Sequence, residues 1–325
     1  MNIVLAGWLA LLPIVAFAQA PPAGWKPVRP VEFVVSAAPG GANDRLARAI
    51  QRIVQDGQLA PVSMNVVSKP GGGGSIGIVY LNTHAGDAHH ITLASSAWMS
   101  TVAGGRGTVT HRDVTPIAKL LDEPIVYFVK ADSTLKSARD IAERLKNDPA
   151  SLAFGLSVAA GNPLHLSVVN IARQAGADPT RLKVVVFNSG SETAIQVSGG
   201  HVDVGVSSPG SALPLMHSGK LRLLATASAQ RLAGPLSNLP TLREQGIDVV
   251  ASAFYVMLAP KGTPPAQVAF WEDVFARVVR SEEFKKDLAA NYWTADFMGQ
   301  RDAAAFMEQT YQAFRRALLE IGMAR

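Results

Sequence analysis

The stretch Val34–Ile50, VVSAAPGGANDRLARAI, changes character within a few residues. A β-branched run gives way to Ser36, Ala37 and Ala38, then Pro39, Gly40 and Gly41, and Asn43 and Asp44 open a helical pattern. Stripping side chains where a strand hands over to a helix exposes backbone. The first turn of a helix carries unpaired N–H groups and roughly half a positive charge. Small residues let an anion reach those groups. The same device recurs at Gly155–His165 (GLSVAAGNPLH), Phe187–Ala194 (FNSGSETA) and Ser207–Ala212 (SSPGSA). Such junctions, offered face to face by two sheets, suit a small polyanion, most simply a di- or tricarboxylate.

Other chemistry is weighed against this. GLSVA, Gly155–Ala159, nearly matches the G-x-S-x-G elbow that exposes a serine nucleophile. A hydrolase using Ser157, with His201, His217 and Asp203 as the nearby partners, is therefore the alternative from the enzyme class. Ser133–Lys136 fits S-x-x-K, but its neighbours read as a helix start. His84, His89 and His90 lie in a loop leading to a strand, where a solvated turn explains them better than a metal site. The glycines of KPGGGGSIG, Lys69–Gly77, form no P-loop, and no cofactor is expected. Glu192 reads as an acid in the first turn of its helix.

Bulk properties narrow the class. The chain has 325 residues, of which 48% are hydrophobic and 17% charged, suiting a globular protein of about two domains. It has no cysteine, so disulfides and thiolate chemistry are out. The net charge of +5 is scattered, without the basic clusters and stacking aromatics of a nucleic-acid footprint. It provides a mild field favouring anions. Residues 1–20 carry no charged side chain, contain an apolar run broken by Pro13, and end in A-x-A patterns at Ala16–Ala18 and Ala18–Ala20. They read as a secretory signal peptide.

From Val31 onward, short β-branched runs alternate with helical patterns, which predicts an α/β fold with mostly parallel sheets flanked by helices. The alternation starts again near Ile125, giving two similar units. The crossings between them are expected near Leu121–Val129 and Ala225–Ser252. The division is 21–124 with 250–325 as lobe 1 and 125–249 as lobe 2. Asn162 with Pro163, Ser137 with Asp140, and Thr263 before Pro264 are expected helix starts. Phe306, Tyr311, Phe314, Leu318 and Ile321 form a core-packing stripe on a C-terminal helix.

The ordered series VVSAAPGGANDRLAR, VVSKPGGGGSIG, PIAKLL, FGLSVAAGNPLHL, SGSETAIQVSGGHVDVGVSS, SGKLRLLATASAQR, NLPTLREQGIDV and YVMLAPKGTP resembles the solute-binding receptors of tripartite tricarboxylate transporters, the Bug family. The match spans essentially the whole chain after the signal. The resemblance implies a two-lobed periplasmic-binding-protein fold of the Venus-flytrap type II kind and a carboxylated ligand. It implies that the backbone of the loops at Ala38–Asn43 and Val158–Asn162 holds a carboxylate, partly through ordered water. Three features depart from the family pattern. Ser36, Ala37 and Ala38 stand where many members have a bulky aromatic; Asn188, Ser189 and Gly190 replace a Tyr-Lys-Gly triplet; and AGDAHH replaces a Pro-Asp-Gly-Tyr turn.

The resulting expectation is a monomeric periplasmic receptor that closes about a hinge and delivers a small carboxylate to a membrane permease or a sensor domain. A sensor or scaffold without transport is the other alternative. Backbone donors are expected from Ala38, Gly40, Gly41, Ala42 and Asn43 in one lobe, and from Ala159, Ala160, Gly161 and Asn162 in the other. Side-chain candidates are Ser36, Asp44, Ser95, Ser96, Ser157, His165, Asn188, Ser189, Ser207 and Tyr255.

Overall fold

A computed structural model describes residues 24–37, 39, 42–157 and 159–324. The signal-peptide reading and the candidates Ala38, Gly40 and Gly41 lie outside the described residues. The chain opens with β1 (Val31–Val35), α1 (Ala42–Asp56), β2 (Met64–Ser68), α2 (Ser75–Asn82), β3 (His90–Ser95), α3 (Ser96–Ala103) and β4 (Val114–Pro124). A second unit follows: β5 (Val126–Lys130), α4 (Ala138–Asn147), β6 (Ala153–Ser157), α5 (Pro163–Gln174), β7 (Lys183–Phe187), α6 (Gly190–Ser198), β8 (Val204–Ser207), α7 (Pro209–His217) and β9 (Leu221–Thr226). The chain then returns through β10 (Ser252–Pro260), α8 (Pro265–Arg280), α9 (Glu282–Asn291), β11 (Thr294–Met298) and α10 (Gln300–Glu320).

Two sheets result, ordered β11-β4-β10-β3-β1-β2 and β7-β6-β8-β5-β9. The α/β expectation holds, but the sheets are mixed rather than mostly parallel. Parallel pairing is confined to β2-β1-β3 and β7-β6-β8. The reason is topological. A chain that crosses between sheets at the carboxyl ends of their strands must start its next strand at that end, so β5 and β10 run against their neighbours.

Each sheet is covered on both faces. Leu46, Ile50, Ile53 and Val54 of α1 recur at helical spacing and bury against Phe33, Trp271 and Phe275. On the other face Trp98, Phe254, Leu258 and Met307 form a second cluster. Tyr127, Phe154 and Val168 centre the core on one face of the second sheet, with Phe128, Val197 and Leu213 on the other. Helix α5 reaches across to the first unit, where Leu166 packs with Ala103, Ala317 and Leu318.

Local signals account for most helix starts. Ser137 and Asp140 make a reciprocal capping box, and the Asn162 side chain accepts from the His165 N–H with Pro163 at the first helical position. Thr263 does not cap α8. Its hydroxyl donates to the Pro260 carbonyl, and Pro264 and Pro265 start the helix through their fixed φ.

Gly205 in β8 faces Phe128 across the β5–β8 ladder. A Cβ there would run into the Phe128 ring, which is fully buried and has no room to withdraw. Gly205→Ala is therefore expected to cost about 1–3 kcal/mol, read as a lowered urea midpoint at unchanged slope. Pairing it with Phe128→Leu should recover part of the loss.

The three histidines expected in a solvated turn are packed instead. His89 and His90 are buried, and His90 stacks on His84 with ring centroids 3.6 Å apart. His89 Nδ1 lies 2.6 Å from Asp87, its Nε2 accepts from the Val28 N–H, and Trp25 meets its ring edge-on. The segment before β1 packs over His89 and shields its ring from water.

Candidate functional site

The register places the two sets of strand ends against each other. In the first sheet Tyr255 pairs with Ser95, the last residue of β3, and Ser252 pairs with Pro124, the last residue of β4. Two residues later the chain is in the second sheet, where Val126 pairs with Ser207, the last residue of β8. The carboxyl ends of β1, β3 and β4 and those of β6, β7 and β8 thus lie on the crossing side of their sheets. Helices α1, α3, α5, α6 and α7 all begin at these ends. Open α/β sheets receive ligands at such strand ends.

On the first side, Ala42 and Asn43 open α1, and Asp44 stands in its first turn with Arg48 Nε at 3.0 Å. Asp44 is therefore engaged in positioning its own helix. The Ser36 side chain is buried, and its hydroxyl has no hydrogen-bond partner among the described residues. Gly77 leaves space for it: a Cβ at Gly77 would stand 2.5 Å from Ser36 Oγ. Ser95 precedes α3 without a side-chain cap, and Ser96 Oγ accepts from the Phe254 N–H at 3.4 Å.

On the second side, the loop after Ser157 is organised by its own hydrogen bonds. The Asn162 amide donates to the Ser157 carbonyl at 2.8 Å, and the Gly161 N–H donates to His165 Nδ1 at 2.9 Å. The Ala159 N–H donates to the Ser157 carbonyl at 3.0 Å. The expectation of four free donors at 159–162 is thus corrected for Ala159 and Gly161. A tight loop of small residues closes on itself and on the next helix. Ser100 of α3 also donates to the Gly161 carbonyl, tying this loop to the opposite unit.

Burial holds the His165 pKa down to about 4. At neutral pH the ring is uncharged and acts as an acceptor for the loop, so it offers no cation to a carboxylate. Asn188 donates from its N–H and its amide to Glu192, and Ser189 caps α6 by accepting from the Glu192 N–H. Glu192 thus sits in the first turn, as its sequence position implies. Ser207 is buried next to Gly190, which brings the β7 and β8 ends together.

The partners that the sequence offered to Ser157 lie away from it. Phe154 pairs with Val204 and Leu156 with Val206 in parallel register. His201 and Asp203 precede β8 and so lie at the opposite end of the sheet from Ser157. Asp203 accepts from the Ala153 N–H there, and His217 ends α7 away from its N-terminus.

One residue at the crossing was not anticipated. Glu123 accepts from the Tyr255 hydroxyl at 3.0 Å, and the Trp293 indole and Ser208 hydroxyl face it as further donors. Burial raises its pKa above the ordinary carboxylate range, against the lowering effect of those donors and of Arg45. It links β4 and Tyr255 of β10 in the first unit to the start of α7 in the second. The only sequence signal was the acid pair before a proline, Asp122-Glu123-Pro124.

Comparison with known proteins follows the same outline. A sequence profile described as "Tripartite tricarboxylate transporter family receptor" matches residues 47–323. The protein BugT of Bordetella pertussis is 26% identical over 303 residues, covering 91% of this chain and 90% of BugT. The structure of R. palustris Rpa4515 with adipate superposes with a TM-score of 0.75 at 22% identity, covering 91% of this chain and 98% of that one. MatC of Rhodopseudomonas palustris with bound malate gives a TM-score of 0.71 at 22% identity, covering 91% and 99%.

Proposed function

Because the chain belongs to the tripartite tricarboxylate transporter receptor family, we propose that it is a periplasmic solute-binding receptor that captures a small di- or tricarboxylate between its lobes and delivers it to the membrane permease of such a transporter. The observation that supports this most directly is the meeting of strand ends and helix N-termini from both sheets at Pro124–Val126. One carboxylate is received by the backbone at the start of α1 and by the loop that precedes α5. Ser36, Ser95, Ser157, Ser189 and Ser207 supply side-chain hydroxyls along the same edges. That a fold neighbour holds adipate and another holds malate supports a dicarboxylate.

The lobes are 21–124 with 250–325 and 125–249, and the protein acts as a monomer. Ligand contacts made to both lobes favour the closed state over the open one, and that difference is the signal a permease reads. No bond in the ligand is changed. The separation of Ser157 from His201, His217 and Asp203 disfavours the hydrolase reading.

The test is a thermal-shift series on protein unfolded and refolded to remove carried ligand. A ligand bound only by the folded state stabilises it by about 2.7 kcal/mol at a hundredfold excess over Kd. Malate, adipate and citrate are expected to include a stabiliser, whereas neutral amides of the same acids are not. A flat response to all three acids would remove the carboxylate assignment.

A further inference from the structure

Beside the crossing, on the sheet face opposite Glu123 and Tyr255, a hollow of about 500 Å³ opens between α5 and α10. Its size suits a small molecule. None of the described candidate ligand residues lines it, so it is distinct from the meeting of strand ends. We propose that it is a second ligand site, for an amphipathic monocarboxylate of about eight carbons.

The charges of the lining set the polarity of the occupant. At one end, buried Lys119 is held by Asp122, at 2.8 Å, and by Asp296. Two acids around one cation make that end acidic, with burial raising the Asp122 pKa. At the other end Arg173 pairs with Glu320 at 3.2 Å. Arg316 is the one cation of the lining that makes no ion pair among the described residues. Its planar fork matches a carboxylate, and Asn170 on α5 belongs to the facing wall.

Between the two ends the wall is mainly apolar, with Ser167, Ser252 and Thr310 as its hydroxyl-bearing residues. Phe254, Phe306 and Phe314 line it, and Phe306 covers Lys119 with its ring centroid 4.8 Å from Nζ. Phe306 and Arg316 are ten residues apart on α10, a rise of roughly 15 Å. A chain of about eight carbons fits that length with its carboxylate on Arg316 and its tail on the phenylalanines. A second carboxylate at the tail would meet Asp122 and Asp296. The hollow should therefore prefer octanoate to octanedioate, the reverse of the preference proposed for the interlobe face. Because α5 comes from one unit and α10 from the other, the occupant touches both.

The test is titration calorimetry of the purified protein with octanoate and octanedioate. Octanoate should bind at submillimolar concentration and at least tenfold more tightly than octanedioate. Arg316→Glu, at an exposed position, should weaken octanoate at least tenfold, and Ala313→Trp, which fills the hollow from its open side, should do the same. Asn43→Asp, at the strand-end face, should leave octanoate binding unchanged. Absence of octanoate binding at millimolar concentration would overturn the proposal. So would equal affinity for octanedioate, unchanged affinity in the Arg316 and Ala313 variants, or loss of binding in the Asn43 variant. The last outcome would place octanoate at the interlobe face.

Discussion

Acidification from pH 6.5 towards pH 4 is expected to remove roughly 3 kcal/mol of folding stability through His165 alone. Its pKa is held down to about 4 in the native state, against 6.5 for an unperturbed ring. Between those values the unfolded chain binds a proton that the native chain refuses. The stability is therefore fully present above the unfolded pKa and is lost as pH falls to the folded one. His90, whose pKa is also lowered, chiefly by burial, adds to the same limb. The contribution of His165 is isolated by comparison with His165→Asn, whose amide oxygen takes the place of Nδ1 as acceptor for the Gly161 N–H. Urea midpoints at pH 7 should be similar for the two proteins, and the acid limb of the variant should be shallower by most of that amount. Superimposed limbs would show that His165 is protonated, or rehydrated, at little cost. The effect also reaches function. A protonated ring no longer accepts from Gly161, so the loop before α5 loosens and ligand affinity should fall with stability.

The parts of this molecule that were legible in the sequence are those encoded locally. Asn162-Pro163 reads as a helix start because a cap and a fixed φ act within one turn. The small-residue junctions at Ser36, Ser157, Ser189 and Ser207 read as strand ends because an apolar run precedes each, β-branched in all but the Ser157 case, and a helix follows. What was not legible depends on register between distant segments. Glu123 becomes a bridging group because Ser252 pairs with Pro124, and that pairing brings Tyr255 within reach. His89 is buried by the segment before β1, about sixty residues earlier, as the Val28–His89 bond shows. The N–H of Gly161 looked available because glycine and alanine leave donors open, yet His165 one turn into α5 claims it. The loop at 159–162 therefore offers fewer free donors than its composition suggests. The direction of β5 and β10 was missed for a related reason: periodicity identifies a strand but carries no information on which neighbour it joins.

Asn43→Asp is expected to leave the fold intact while weakening dicarboxylate binding about a hundredfold, which corresponds to about 2.7 kcal/mol. Asn43 is the second residue of α1, at the positive end of the helix dipole. An acid there stabilises the helix by about 0.3–1 kcal/mol, and repulsion from Asp44 in the same turn offsets part of that gain. Stability should therefore change little. The same carboxylate stands where the ligand's is proposed to sit. Two like charges about 4 Å apart at a partly exposed site repel by several kcal/mol before screening. The two effects have opposite signs, so a general loss of structure cannot imitate the result. The measurement is titration calorimetry with malate and with adipate, alongside the thermal midpoint without ligand. The α1 terminus is removed from the site if the variant binds the stabilising acid as tightly as the wild type. If the midpoint falls by many degrees instead, Asn43 is holding the helix start together, and the neighbouring Ala42→Asp carries the same test one position closer to the strand end. Raising the salt concentration should weaken the wild type and narrow its gap to the variant, because attraction and repulsion at this face are screened together.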